Sequence, residues 1–320
     1  MSRFESIRRG NGSQDFPCYA GALKFEFHRF RFRFCSTGTL HFPPGQAGNI
    51  ARGAFGSILC KLVCLPNCPG AKTCDVRAAC PYARVFSPQA APGEGPSGLV
   101  DRPRPFVFRA SHLDGCTIRE GEPFHFDVHL FDVRDSALQH FIQAFGQLGQ
   151  EGLGPGRGCA VLISVDQLDL LGLNVALPIA IDLGASPDQV ERLRIRFVTP
   201  TELKRGREAV DRPEFGILFA RLRDRISTLR ALYGEGPLEI DFRAMGDAAA
   251  AITMTRCRIT HTAVERLSSR TGQRHPLGGF VGEAEYEGEL GRFVSYLNLG
   301  KWIGVGRQTV WGKGEVEVVQ

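Results

Sequence analysis

Arg29-Phe30-Arg31-Phe32-Arg33-Phe34 alternates a cation with an aromatic ring without a break. Successive side chains of a β-strand point to opposite faces. This period of two therefore puts the phenylalanines on one face and the arginines on the other. The strand is expected over residues 23–35. A turn follows at Phe42-Pro43-Pro44-Gly45, then a helix over residues 47–63 carrying Arg52-Gly53-Ala54-Phe55-Gly56. Residues 88–105 are rich in Pro, Gly and Ala and read as loop. Strands are expected at 106–110 and 124–131, and a helix at 136–148, with Leu138, Phe141, Ile142 and Phe145 at helical spacing. The glycine-rich run Gly152-Leu153-Gly154-Pro155-Gly156-Arg157-Gly158 then leads into a strand at 160–165.

The second half repeats this order. Arg192-Leu193-Arg194-Ile195-Arg196-Phe197 is another alternating strand. A helix over 215–233 lines up Leu218, Leu222, Ile226 and Leu229. Strands surround 278–286, a last helix covers 290–299, and a strand at 315–319 closes the chain. Strand–helix–strand–strand–helix–strand, met twice, is the ferredoxin-like order. The expected fold is α+β: two tandem ferredoxin-like (RRM-like) domains at 1–170 and 191–320, with a linker at 171–190. A cysteine-rich, metal-binding knuckle is inserted at 60–90. Both helices of such a domain pack on one sheet face, and the other face needs polar residues. Arg29, Arg31, Arg33 and Arg194 supply them, either by solvating that face or by meeting RNA.

The chain has 320 residues, is 43% hydrophobic and 23% charged, and carries a formal charge of +5. Each half can bury a core. The charge permits a polyanionic partner without requiring one. The start, Met1-Ser2-Arg3-Phe4-Glu5-Ser6-Ile7-Arg8-Arg9, lacks the apolar core of a secretory signal. The longest apolar stretch, 170–181, is broken by Asn174 and Pro178 and falls short of the roughly 20 residues of a membrane span. A cytoplasmic protein without a membrane partner is expected.

Gly304-Val305-Gly306-Arg307-Gln308-Thr309-Val310-Trp311-Gly312-Lys313-Gly314 joins the last helix to the last strand. Glycines let backbone N–H groups approach an anion closely, as in an anion-binding nest. Arg307 and Lys313 add positive charge, and Trp302 and Trp311 offer surfaces on which bases stack. A dinucleotide fingerprint would instead follow a first strand, open a helix and precede an acidic residue about 20 positions on. This loop has none of those neighbours, so a nucleotide-binding reading is rejected.

A helix, then G-x-G-x-x-x-x-x-G-x-G, then a closing strand resembles the RAMP superfamily of CRISPR repeat-associated RNA-binding proteins. Within it, the chain looks like the endoribonucleases that process CRISPR precursor RNA. The resemblance extends to Arg52-Gly53-Ala54-Phe55-Gly56, to Cys80-Pro81-Tyr82 with Phe86, and to Phe197-Val198-Thr199-Pro200. It includes Ser269-Arg270 and Pro276-Leu277-Gly278-Gly279-Phe280-Val281-Gly282-Glu283 as well. It implies tandem ferredoxin-like domains and binding of CRISPR repeat RNA, with other effector-complex subunits as further partners. It also implies cleavage without a catalytic metal: the ribose 2′-hydroxyl attacks the adjacent phosphate, leaving a 2′,3′-cyclic phosphate and a 5′-hydroxyl. The alternative is a RAMP subunit that holds guide RNA without cutting. A third reading is a structural protein organised by its metal knuckle.

Of ten cysteines, five fall between Cys60 and Cys80. Cys64, Cys68, Cys74 and Cys80, amid Pro66, Pro69, Gly70 and Pro81, are candidate ligands of a structural zinc ion, or alternatively of an iron–sulfur cluster. Four protein ligands leave no open position for catalysis. A loop this short lacks the apolar residues to fold unaided, and a metal would supply the missing stability.

Cleavage needs a proton acceptor near the 2′-hydroxyl and positive charge on the phosphate. His41, in the turn before the first helix, is the leading candidate; His275, beside Arg270 and Arg274, is second and His261 third. In the family this residue commonly stands on the first helix, which here opens Gln46-Ala47-Gly48-Asn49-Ile50. Arg52 is the candidate phosphate clamp, because a guanidinium can make two parallel bonds to phosphate. The expected RNA contacts are Arg29, Arg31, Arg33, Arg157, Arg194, Arg270, Arg274, Gly304, Gly306, Arg307, Trp311, Gly312 and Lys313.

Overall fold

A computed structural model describes residues 23–319 except 66–67, 69, 71–72, 90–101, 155, 185–188, 264, 268–273 and 277; for 265–267 and 274–276 it describes the backbone alone. The alternating stretch lies in β1 (Lys24–Ser36), the centre of the first sheet. β2 (Leu40–His41) is short; β3 (Phe106–Arg109), β5 (Pro123–Leu130) and β6 (Ala160–Leu168) complete the antiparallel order β3-β5-β1-β6. β4 (Thr117–Ile118) pairs with β2.

α1 (Ala47–Val63) and α2 (Leu138–Gly146) cover one face of this sheet, and α3 (Leu148–Glu151) is a single further turn. Phe30, Phe32 and Phe34 join Phe106, Phe108, Phe124 and Phe126 in a phenylalanine core against Phe55 of α1 and Phe141 and Phe145 of α2. Phe55 stacks on Phe141 with ring centroids 3.8 Å apart and planes 7° apart. Each such ring removed from water stabilises the fold by roughly 1.5–3 kcal/mol.

β1 changes phase along its length. Phe25 and Phe27 are buried, as are Phe30, Phe32 and Phe34, while His28 and Arg29 between them are both half-buried. The first two rings therefore lie on the face that the arginines occupy farther on. There they belong to one core with Leu222 and Ile226 of the second half, and Phe27 meets the Trp302 ring at 5.8 Å, so the two halves share this core.

The second sheet is built from β8 (Arg192–Thr201), β11 (Thr253–Thr262), β14 (Gly279–Glu287) and β15 (Val316–Val319), in the order β11-β14-β8-β15. α4 (Phe215–Tyr233) and α6 (Val294–Ile303) are its two helices. Counted within each half, both sheets order their strands second-third-first-fourth, the ferredoxin-like arrangement the sequence suggests.

Some elements depart from expectation. The stretch expected as a linker contains β7 (Ile179–Asp182), which pairs with the start of β1. α5 (Phe242–Ala250), capped by the Asp241 carboxylate, and β11 were not anticipated. The expected helix at 136–148 is split into α2 and α3, and the last helix extends to Ile303. Two small hairpins, β9 (Lys204–Arg205) with β10 (Glu208–Ala209) and β12 (Glu265–Leu267) with β13 (Arg274–Pro276), complete the described strands.

Candidate nucleic-acid interface

The C-terminal glycine loop does not project into solvent; it lies on the start of α1. Gly304, Gly306, Gly312 and Gly314 all have left-handed backbones, with φ between 68° and 80°. Only glycine adopts that conformation without strain. A Cβ on Gly48 of α1 would come within 2.9 Å of the Trp311 carbonyl oxygen and 3.1 Å of Gly312 Cα. The missing side chain lets loop and helix meet. Arg52 is 5% exposed, with its guanidinium 5.3 Å from the Trp311 ring centre and 4.4 Å from that of Phe86, which corrects the expectation of an open, two-bonded phosphate clamp.

Lys313 corrects the expectation of a phosphate contact. Its side chain is 3% exposed, and Nζ donates to the Gly45 carbonyl at 2.6 Å. Burial lowers its pKa, partly offset by the nearby Asp114. Lys313 therefore ties the loop to the turn before α1. Asp114, on the connection between β3 and β4, accepts the Ala47 N–H at 2.8 Å. Burial raises its carboxyl pKa, while the N–H groups of Ala47, Gln46 and Gly45 and the charge of Lys313 oppose that rise. Arg307, by contrast, is exposed and donates to Glu202 Oε1 at 3.0 Å.

The first glycine loop takes the corresponding place in its own half. Gly152 and Gly154 are left-handed, as is Arg157, whose side chain is exposed. A Cβ on Gly154 would stand 3.5 Å from Ile50 of α1 and 4.0 Å from the His41 carbonyl oxygen. His41 itself is exposed on β2, and its Nδ1 shares a hydrogen bond with Thr117 Oγ1 at 3.0 Å. The structure thus gathers Arg52, Trp311, Gly312 and Lys313 around the start of α1, with His41 on the short strand β2 that precedes it. His261 sits apart on β11 at the edge of the second sheet, donating from Nε2 to the Asp211 carbonyl. The side chains of Arg274 and His275 and the whole of Arg270 lie outside the described residues.

The strand arginines already have carboxylate partners. Arg29 and Arg31 both bind Asp127, each with a contact of 2.8 Å, and Arg33 binds Asp166 at 2.8 Å. Burial alone would raise the Asp127 pKa; the Arg31 hydrogen bond and the charges of His129, Arg29 and Arg31 outweigh it and hold the carboxyl below its ordinary value. On the second sheet, Arg194 and Arg196 share Glu283 at 3.4 and 2.8 Å. An RNA phosphate would have to share or displace these partners.

The arginine face of the first sheet holds further groups that are not among the expected site residues, lone strand histidines being usually structural. His129 is 2% exposed and donates from Nδ1 to the Trp302 carbonyl at 2.7 Å. Burial, and then the charge of Arg109, push its pKa down to about 3. Arg109 is 8% exposed, and its guanidinium lies 3.3 Å from where a Gly304 Cβ would be. His112 stacks on His125 at 4.5 Å, and burial with the Arg31 charge pushes His125 down to about 4. A lone strand histidine or arginine carries no sequence signal of such company; only the register of β3, β5 and β1 brings these residues together.

Cys64, Cys68, Cys74 and Cys80 line one cavity of about 190 Å³ beside the C-terminus of α1. They are free thiols, and among the described residues no three His, Cys, Asp or Glu side chains are already gathered as a metal ion would hold them. Burial, then hydrogen bonding to Cys60, pushes the Cys64 thiol well up.

No helix among the described residues is long and apolar enough to cross a membrane. No curated protein matches the chain. Residues 25–180 match a family described as an N-terminal domain, AF_1859_N, and residues 195–316 match the CRISPR-associated endoribonuclease Cas6. Among solved structures, Cas6 of Thermus thermophilus is 15% identical, with a TM-score of 0.55 over 92% of this chain and 98% of that one. A Cas6 product complex is 16% identical, with a TM-score of 0.52 over 92% of this chain and 100% of that one. A chain of a partial Cas6-RT-Cas1–Cas2 complex is 12% identical, with a TM-score of 0.54 over 93% of this chain and 46% of that one. Two tandem ferredoxin-like sheets and a glycine loop seated on the first helix accompany these matches: residues 195–316 match the model of the CRISPR-associated endoribonuclease Cas6 family, and the chain as a whole shares its fold with the solved Cas6 structures.

Proposed function

We propose that this chain binds CRISPR repeat RNA across the start of α1 and cuts it there by attack of a ribose 2′-hydroxyl on the adjacent phosphate. The observation that carries this reading is the seating of the glycine loop on Gly48, which sets Trp311 beside Arg52 on the helix that follows His41 in the chain. Trp311 offers a base a ring to stack on. Arg52, 5% exposed and set against the Trp311 and Phe86 rings, adds positive charge from beneath Trp311 as the phosphate oxygens gain negative charge in the transition state. His41, exposed and hydrogen-bonded to Thr117, takes the 2′-hydroxyl proton. The 2′-oxygen bonds to phosphorus, the bond to the 5′-oxygen breaks, and that oxygen picks up a proton from the imidazolium or from water. The products are a 2′,3′-cyclic phosphate and a 5′-hydroxyl. These residues supply base, charge and orientation, so the step needs no catalytic metal.

Single-turnover cleavage of end-labelled cognate repeat RNA in EDTA tests the reading. His41→Ala is expected to lose cleavage by about a hundredfold or more with RNA binding intact. Undiminished cleavage by that variant, with loss in His275→Ala, would move the base to His275. Tight RNA binding without any cutting by the unaltered chain would make it a guide-holding subunit instead.

A further inference from the structure

Among the described residues between α1 and the following π turn (Tyr82–Phe86), large apolar side chains stand exposed. Leu65 is 64% exposed and Val76 is 53% exposed. The chain is nevertheless wound into successive tight turns: the N–H groups of Cys68, Arg77, Ala79 and Cys80 donate to the carbonyls of Leu65, Cys74, Val76 and Arg77. Turns of this kind do not hold a short loop together in water by themselves, because each hydrogen bond adds only about 1 kcal/mol net. What the turns share is the cavity they enclose. Cys64, Cys68, Cys74 and Cys80 line it, and its other described walls are Val63, Leu65, Val76, Ala79 and Pro81. No charged side chain is among them. Four free thiols in an aliphatic surround form a soft, low-dielectric donor set, which suits zinc and not magnesium or calcium.

We propose that this cavity is a structural zinc site with Cys64, Cys68, Cys74 and Cys80 as its four ligands. On binding, the four thiols release their protons to solvent and form four sulfur–zinc bonds, drawing inward from the walls they now line. No electron transfer is involved.

The position of the site gives the ion a further task. Cys64 is the residue that ends α1, and Cys80 precedes the π turn by two residues, so the ion clips those two elements together. Phe86, at the far end of the π turn, fills the space over Gly56, where a Cβ would overlap its ring. The same ring lies under the Arg52 guanidinium. Zinc therefore holds Phe86, and through it the orientation of Arg52. This last link rests on the function proposed above; the metal site itself does not.

Elemental analysis of the purified full-length chain tests the site independently of RNA. About one zinc per chain is expected, and under about 0.1 in Cys68→Ser and in Cys74→Ser. Because a variant can fail to fold, the unaltered chain is also titrated with a mercurial: zinc release should accompany modification of four thiols that a mild disulfide reagent leaves untouched. A zinc-free chain with all four thiols reactive would overturn the site. Iron and sulfide in place of zinc would overturn the assignment of the ion. Zinc present in a chain that neither binds nor cuts repeat RNA would instead sink the proposed function and leave the site standing.

Discussion

Lys313 and Arg307 stand six residues apart in one loop and do different work. Lys313 is inside, bonded to the Gly45 carbonyl; Arg307 is outside, paired with Glu202. Replacing Lys313 with Met leaves a buried carbonyl without its donor and Asp114 without its cation. The expected cost is about 1–3 kcal/mol in urea denaturation, with the salt dependence of RNA binding unchanged. Arg307→Ala should leave stability within about 0.5 kcal/mol. It should lower the slope of log affinity against log salt by about one, the signature of a lost phosphate contact. An equal effect of the two variants on that slope would refute the division. The sequence displays both cations equally. It does not show which one the left-handed glycines turn inward, or that Asp127 and Glu283 already hold the strand arginines. Charge is legible in a sequence; counter-charge from a distant strand is not.

At the scale of elements, the readable parts were those with a strong period. α1 and α4 fall on the residues expected of them, α4 from its apolar spacing, and β1 and β8 are the alternating strands. β7 was hidden because its four residues lie in an apolar stretch interrupted by Pro178. α5 was hidden because it is rich in alanine and buries little beyond Ala249, and β11 because it contains many threonines and arginines. The convergence of α1 with the C-terminal loop was likewise invisible, since it depends on contact between residues 48 and 312. Gly48→Ala tests that contact. The new methyl group would meet backbone, which has no rotamer to escape into. The loop should shift by a few tenths of an ångström or more, and cleavage should fall by about a hundredfold, because reacting groups held off their geometry lose their advantage steeply. Wild-type turnover in this variant would show that the seating of the loop is irrelevant to catalysis.

For the whole molecule, His129 at the junction of the halves sets a pH dependence. Its folded pKa is about 3, against about 6.5 in an unfolded chain. Between those values the unfolded chain binds a proton that the native protein excludes. Stability is therefore fully present above about pH 6.5 and is lost as pH falls, by up to about 1.4 kcal/mol per pH unit. His125, His28 and His140, also lowered mainly by burial, act in the same direction. The depressed Asp127 carboxyl adds its own loss only as pH falls toward 4 and below. Urea midpoints measured from pH 7.5 to 5 should fall steadily, and a flat profile would mean that His129 is charged in the native state.

The phase change in β1 bears on how the chain reaches this structure during synthesis. Phe25 and Phe27 emerge from the ribosome early, yet residues that complete their core, Leu222, Ile226 and Trp302, are made some two hundred residues or more later. Until then the nascent first half carries an unburied aromatic pair on an otherwise charged face, a surface on which chaperones and aggregation compete. A ribosome stalled near residue 190 should hold a protease-sensitive first half. Release beyond residue 303 should protect both halves in one step.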